Sequence, residues 1–189
     1  MNEKPILFSG PMVRAILEGR KTQTRRAVKF PVLDRNGTGC EISGCEINSC
    51  LNQGLELCPF GHPGGRLWLR ETWRKAYPKT SDSEGVVYRA DKDRSLGMDE
   101  YSDRHRWKPS IFMPRWASRI TLEIVSVRVE RLKDISHRDA LSEGVEYDVS
   151  IPEGSPLARY QNLWDSINGK KYPWKSNPWV WVIEFKIVP

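Results

Sequence analysis

The sequence has little of what would hold a protein in a membrane or build a hydrolytic metal centre. No apolar run of about eighteen residues occurs, and no long apolar stretch follows a basic start at the amino terminus. Histidine is scarce, with 3 residues in 189, and no His-Glu-x-x-His pattern is present. These absences predict a soluble, cytoplasmic protein that binds no membrane and uses no cofactor, and they argue against a histidine-based metal hydrolase.

Cysteine pairs at the C-x-x-C spacing of ordinary zinc sites are also absent. The 4 cysteines are Cys40, Cys45, Cys50 and Cys58, and His62 follows close behind them. Two interpretations of these cysteines remain open. Free thiols in a reducing cytoplasm are favoured, and a structural zinc ion held by the four cysteines is the alternative.

Positive charge is the clearest feature of the composition. The chain has 30 Lys and Arg residues against 24 Asp and Glu residues, which gives a net charge of +6. Much of the positive charge falls in two segments, residues 14–29 and residues 104–119. Two basic clusters on either side of one cleft would attract a phosphate-bearing partner, although a soluble basic enzyme has the same composition.

Alternation of apolar and polar side chains predicts the strands. It is found over residues 66–73, 120–132 and 178–188, and residues 86–90 are the predicted partner of the first strand. Within the second strand the apolar residues change from even to odd positions at Val125. Such a slip of the side-chain phase predicts a bulge or a sharp bend.

Helical spacing and helix-end residues predict three short helices. The first lies within residues 5–19, after a short strand, and ends at Gly19. The second, residues 136–144, opens with a Ser-x-x-Asp capping pattern, and the third covers residues 157–168. Because these helices do not alternate regularly with strands, the fold class is predicted to be α+β, a small mixed β-barrel with short flanking helices.

Two segments without clear periodicity interrupt this pattern. Residues 36–65 are rich in Gly, Asn, Ser and Cys and are interpreted as a long inserted loop. Residues 91–110 are charged and rich in turn-forming residues and form a second insertion. Residues 1–189 are therefore predicted to be a single domain with two insertions.

The segment that ends the first helix is a candidate active site. Lys21, Thr24 and Arg26 follow Gly19 at a spacing that lets their side chains converge. A partly buried lysine loses its proton near neutral pH and then acts as a base for a hydroxyl, which a threonine needs before it attacks an amide carbonyl. The alternative, favoured by the spacing alone, is a solvated basic helix end that complements the helix dipole.

Glu143 is predicted in the last turn of the second helix, where a carboxylate faces the negative end of the helix dipole. Close to Lys21 it would share a proton with the lysine and orient it. Taken alone, its position favours the alternative, an exposed glutamate at a helix end.

Aromatic and basic residues are mixed around two of the 8 tryptophans. Trp107 and Trp116 lie among Arg106, Lys108 and Arg115. Base-stacking surfaces combine π-faces and positive charge in this way, so Trp107, Arg115 and Trp116 are predicted to contact a base or RNA. The alternative is that the two tryptophans anchor ordinary loops.

The run Gly-Arg-Lys-Thr-Gln-Thr-Arg-Arg at residues 19–26 resembles the signature of ASCH domains. It is most similar to that of the small ASCH-type N4-acetylcytidine amidohydrolases. The matched positions are Gly19, Lys21, Thr22, Thr24 and Arg26, and Glu143 stands where those enzymes have their glutamate. The resemblance implies a PUA-like barrel with a basic cleft, a catalytic set of Lys21, Thr24 and Glu143, and substrate contacts from Gly19, Thr22 and Arg26.

The longer features of the chain resemble a branch of ASCH proteins found in phage and prophage genomes. They include the segments 58–73, 108–120 and 163–185. The chain departs from the small enzymes in its greater length and in Gln23 and Arg25, which replace apolar residues of their motif. The resemblance implies an amidohydrolase acting on an acylated cytidine-like nucleoside, with RNA or a modified nucleoside as partner. A non-catalytic RNA-binding module is the alternative, and a ribonuclease ranks last because no pair of histidines supports it.

Overall fold

The computed structural model describes residues 3–30, 32–33, 39–40, 47, 57–76, 85–93, 106–146 and 155–188. These residues form a mixed α+β fold around a five-stranded sheet, which confirms the predicted α+β class. No helix in this part of the chain is long and apolar enough to cross a membrane.

The elements are numbered in chain order. The strands are β1 (Glu3–Leu7), β2 (Gln23–Ala27), β3 (Val32–Leu33), β4 (Gly39–Cys40), β5 (Arg66–Arg70), β6 (Trp73–Ala76), β7 (Gly85–Tyr88), β8 (Thr121–Arg131) and β9 (Trp179–Val188). The α-helices are α1 (Gly10–Leu17), α2 (His137–Ser142) and α3 (Pro156–Asn168). Short 3₁₀ turns lie at Arg89–Asp93, Ser110–Phe112, Arg115–Ala117, Leu132–Asp134 and Trp174–Ser176.

The main sheet has the strand order β1-β5-β8-β9-β2. Strands β1 and β5 are parallel and the other pairs are antiparallel, while β3–β4 and β6–β7 form separate two-stranded ladders. Among the described strands, β1 and β2 remain the two edges of the main sheet, so pairing does not close it into a barrel. The predicted pairing of residues 86–90 with the strand at residues 66–73 is confirmed only at the end of that segment, where Trp73 pairs with Tyr88 and the Arg89 amide donates to the Thr72 carbonyl at 2.9 Å. Both edges of β5 are occupied by β1 and β8, and β7 pairs with β6 instead.

The bulge predicted at Val125 is confirmed. The register between β8 and β9 shifts between Ile124 and Ser126, and Val125 is 51% exposed. The extra residue turns the later part of β8, so that Ile124 before it and Val127 after it both pack in the main core. The bulge therefore reconciles the slip of the apolar phase with one continuous core face.

Strand β9 is covered on both faces at its amino-terminal end. Trp181 and Ile183 belong to the main core, while Val180 and Val182 belong to a second core with α2 and α3. Because side chains alternate along a strand, neighbouring residues of β9 fill two different cores. Helix α3, which bears Trp164, is held against the sheet by this second core.

The two predicted insertions lie largely outside the described residues. Of residues 36–65, the described side chains of Ile47, Leu57 and Cys58 are buried in the main core. Part of this segment therefore contributes to packing. Of residues 91–110, only 91–93 and 106–110 are described.

Candidate active site

The carboxy-terminal ends of α1 and α2 lie side by side and bring Lys21 to Glu143. Gly19 follows α1 with a φ of 73°, and Gly144 follows α2 with a φ of 85°, values that glycine adopts readily. An isolated antiparallel bridge then joins Lys21 and Glu143, and the Thr22 amide donates to the Ser142 carbonyl at 2.9 Å. The two segments are 122 residues apart in sequence and are placed together by backbone contacts.

Lys21 is buried and fully hydrogen-bonded. Its Nζ donates to the carbonyl of Gln23 at 2.8 Å, to the carbonyl of Glu143 at 2.8 Å and to Glu143 Oε2 at 2.9 Å. An ammonium group has three N–H donors, so each has an acceptor here. Burial lowers the pKa of Lys21 from its ordinary value, while the Glu143 carboxylate acts in the opposite direction.

Arg25 is buried and, with Lys21 and Glu143, forms a cluster of three charged side chains. Its Nη1 donates to Glu143 Oε1 at 3.1 Å, and its Nε donates to Glu130 Oε1 at 3.0 Å. Burial opposes the charge of the guanidinium, but the carboxylates of Glu143 and Glu130 outweigh it and hold the pKa of Arg25 above its ordinary value. Sequence reasoning missed this residue as a member of the site. The available signal was its departure from the motif that residues 19–26 resemble, which has an apolar residue at this position.

Arg26 has unused hydrogen-bonding capacity. Its Nη2 donates to the Leu7 carbonyl at 2.7 Å, and its guanidinium lies over the Phe8 ring, 5.2 Å from the ring centre. Its Nε is buried without a hydrogen-bond partner, and within the described residues it forms no ion pair. A buried donor without a partner is unfavourable unless a ligand or water satisfies it.

A cavity of about 420 Å³ opens beside this cluster. Its polar wall is formed by Lys21, Thr24, Arg25, Arg26 and Glu143. The other lining side chains are mainly apolar and aromatic and include Phe8, Met12, Tyr160, Leu163 and Trp164. Pockets that bind small organic ligands combine a few convergent polar groups with an apolar lining, in volumes of roughly 300–1,000 Å³.

The cavity wall includes the hydroxyl groups of Thr24 and Tyr160. The side chain of Thr24 is buried and makes no hydrogen bond to any described residue, which leaves it available to a ligand. Burial raises the pKa of Tyr160 well above its ordinary value, and the Glu143 carboxylate adds to this effect. Tyr160 therefore remains a neutral donor at physiological pH.

Lys21, Thr24, Arg26 and Glu143, all predicted from the sequence, are thus brought together in one cavity wall. Gly19 and Thr22 do not line it. Gly19 provides the positive φ that ends α1, and Thr22 is exposed and bonds through its backbone to Ser142 and Phe185.

The predicted contacts Trp107, Arg115 and Trp116 lie outside the cavity lining. Trp107 packs under the Arg74 guanidinium at 5.0 Å, and Trp116 is 64% exposed. Arg115 donates to Glu3 Oε2 at 2.6 Å, so its charge is partly compensated. The structure separates these three residues from the Lys21 cluster.

The cysteine prediction falls mainly outside the described residues, which omit Cys45, Cys50 and the side chain of Cys40. Cys58 is a buried free cysteine in the main core, and burial raises the pKa of its thiol to about 11. The described residues contain no group of three or more metal-binding side chains. The zinc alternative stays a prediction.

Because the ends of α1 and α2 approach closely, we expect two glycine substitutions to lower the free energy of unfolding by different amounts. In Gly144→Ala the new Cβ would lie 2.9 Å from Ala15 Cβ and 2.9 Å from Lys21 Cβ, whereas in Gly19→Ala it meets nothing within 4 Å. Both changes place a side chain at positive φ, which costs about 1–3 kcal/mol. Overpacking should destabilise Gly144→Ala by about 1–3 kcal/mol more. Urea denaturation measures the difference, and equal losses in the two variants would contradict the proposed packing.

Comparison of the chain with models of protein families, with curated proteins and with solved structures found no match. The ASCH resemblance therefore stays a prediction, and the function has to be inferred from the residues of the cavity.

Proposed function

We propose that the cavity binds an acylated cytidine-like nucleoside and that the protein is an ASCH-type amidohydrolase with a PUA-like fold. The observation that carries the proposal is the buried Lys21–Glu143 pair in the wall of a cavity of about 420 Å³. Thr24 and Arg26 line the same wall, and the Nε of Arg26 is buried without a hydrogen-bond partner. Together they offer a base, a nucleophile or water-positioning group, and a cation for developing negative charge.

Lys21 would act as the general base after losing its ammonium proton. In the structure its three donors are occupied, so its lone pair becomes available only when one proton leaves, either to Glu143 or to solvent. Burial favours this step because it disfavours the charged amine. Glu143 then holds the amine in place through the contact that it already makes.

The neutral amine takes the proton from the Thr24 hydroxyl, or from a water that Thr24 positions, as the oxygen attacks the acyl carbonyl. The bond between the acyl carbon and the exocyclic nitrogen of the cytosine ring breaks. The lysine ammonium returns the proton to this departing amine. When Thr24 is the nucleophile, water hydrolyses the resulting threonine ester in a second step. Arg26, a cation in the cavity lining, suits the negative charge that develops on the carbonyl oxygen.

The direct test is chromatographic. Pure protein is incubated with N4-acetylcytidine and related acylated nucleosides, and the appearance of free cytidine is followed over time. Release of cytidine in proportion to enzyme concentration supports the proposal. Binding of these nucleosides without release would contradict the amidohydrolase and favour a nucleoside- or RNA-binding function.

A second candidate function is RNA binding, and a specific surface favours it. Phe112 is 66% exposed, Trp116 is 64% exposed, and Lys75 Nζ lies 5.8 Å from the Trp116 ring centre. Ser110, at the start of the same 3₁₀ turn as Phe112, lines the cavity. A single strand with one base in the cavity would therefore have aromatic and cationic side chains within reach outside it.

Under this second function, binding of a single-stranded RNA should be sensitive to salt. With about three phosphate contacts, affinity should fall about tenfold or more between about 50 and 200 mM salt. Trp116→Ala should weaken binding by about 1–3 kcal/mol if a base stacks on that ring. Phe30→Ala is the control, since Phe30 is an aromatic residue that is 48% exposed and does not line the cavity. Fluorescence anisotropy measures both effects, and electrophoresis of the recovered RNA tests for ribonuclease action. Affinity that is insensitive to salt and to Trp116→Ala would exclude this surface.

A further inference from the structure

Arg25 is a fully buried cation surrounded by carboxylates from separate elements. Its side chain is 0% exposed and contacts Glu130 of β8, Asp139 of α2 and Glu143 at the end of α2. Burying a guanidinium is expensive unless its charge and its donors are compensated. Here the compensation is shared with Lys21, because Arg25 and Lys21 bind the same carboxylate.

The two cations divide the Glu143 carboxylate between them. Oε2 accepts from Lys21 Nζ at 2.9 Å, and Oε1 accepts from Arg25 Nη1 at 3.1 Å. Two charge-assisted hydrogen bonds on the two oxygens fix the rotamer of Glu143. Arg25 is itself held by Glu130, so the position of the Glu143 carboxylate is tied to the main sheet.

We propose that Arg25 is a positioning residue that clamps Glu143 Oε1 and, as a permanent cation on the carboxylate that Lys21 also binds, adds to the tendency of Lys21 to give up its proton. Its catalytic consequence rests on the proposed amidohydrolase function, whereas its effect on the charge state of Lys21 does not.

Arg25 favours loss of the Lys21 proton because the two cations compete for the single negative charge of Glu143. A guanidinium keeps its proton under all ordinary conditions, whereas an ammonium can lose one. The charged and titratable groups around Lys21 are Arg25 and Arg26 of β2, Glu143 and Asp139 of α2, Glu130 of β8 and Tyr160 of α3. Burial is the main cause of the lowered pKa of Lys21, Glu143 opposes it, and the positive charges of Arg26 and Arg25 lower it further.

Removing the charge of Arg25 reverses part of this effect. In Arg25→Met, Lys21 has Glu143 to itself, so the pKa of Lys21 rises and the amine stays protonated to a higher pH. In Arg25→Lys a cation is retained, but it is an ammonium that can itself lose its proton, so it replaces the guanidinium only in part. Glu130 keeps a partner in both variants, since Arg128 Nε donates to its Oε2 at 3.3 Å.

The experiment follows the ε-carbon of ¹³C-labelled lysine by NMR as a function of pH, with the Lys21 signal assigned by its absence in Lys21→Met. Arg25→Met should move the Lys21 midpoint upward, and Arg25→Lys should move it upward by less, since its ammonium is not a permanent cation. An unchanged midpoint in Arg25→Met overturns the proposal. If Arg25→Met does not fold, the same comparison is made in Arg25→Met combined with Glu130→Gln, which removes the carboxylate left behind.

Activity provides the second readout and separates the two proposals. If the protein releases cytidine, the rise of its rate with pH should shift upward in Arg25→Met together with the NMR midpoint. A shifted midpoint with an unshifted rate profile would show that Lys21 is not the base, which contradicts the proposed positioning role in catalysis. If no variant and not even the unmodified protein releases cytidine, the amidohydrolase proposal fails and the NMR midpoint alone decides the role of Arg25.

Discussion

Replacing Glu143 by alanine is expected to lower the free energy of unfolding by about 3–5 kcal/mol. Its carboxylate contacts two buried cations, Lys21 at 2.9 Å and Arg25 at 3.1 Å, and its side chain is 4% exposed. Removing it leaves two buried cations without the carboxylate that they share. The expected loss of stability comes mainly from leaving these cations buried without that carboxylate. It is larger than the net stabilisation that the ion pairs themselves provide.

Urea denaturation of the variant provides the measurement, with Glu146→Ala as the matched control. Glu146 lies three positions later, its side chain is 84% exposed, and it approaches Arg20 only to 3.8 Å. An exposed ion pair of this kind contributes about 0–1 kcal/mol. If Glu143→Ala is no more destabilising than Glu146→Ala, the Lys21–Glu143–Arg25 cluster does not stabilise the fold as described.

Replacing Lys21 by methionine is expected to reduce the rate of cytidine release by about 10²–10⁴-fold, the usual contribution of a general base. Methionine keeps an unbranched side chain of similar length and removes both the base and the charge. Glu143 retains its bond from Arg25, so the fold should survive the change better than it survives Glu143→Ala.

Two further variants test whether the loss of activity in Lys21→Met comes from loss of the base. Lys21→Arg preserves a positive charge but provides no base at neutral pH, so it should be as inactive as Lys21→Met. Lys186→Met changes an exposed lysine that pairs with Glu123 at 3.0 Å, and its activity should match that of the unmodified protein. Turnover within a few-fold of normal in Lys21→Met would exclude Lys21 as the base.

Local patterns predicted the elements that lie on either side of the site. The capping pattern at Ser136 is present as a reciprocal capping box, and helix α2 runs from His137 to Ser142. The slip of phase at Val125 is a bulge between β8 and β9. These features depend on residues a few positions apart, which is why sequence alone reveals them.

Pairing between distant elements was predicted less well. The predicted strand at residues 66–73 is divided between β5 and the start of β6, and β7 pairs only with β6 because β5 already has a strand on each side. Trp107 and Trp116 were predicted to contact the same ligand as Lys21, yet they lie outside the cavity wall. A sequence segment that mixes basic and aromatic residues does not show on which surface of the folded protein those residues lie.

The amino-acid sequence by itself determined the α+β class, the ends of the helices at Gly19 and Gly144, and the residue types from which the site is built. These follow from backbone preferences and short-range periodicity. Only the tertiary structure decided that Lys21 and Arg25 bind the two oxygens of one carboxylate, since their separations from Glu143 are 122 and 118 residues. The position of such charges depends on how strands and helices pack, and burial then gives each charge its strength.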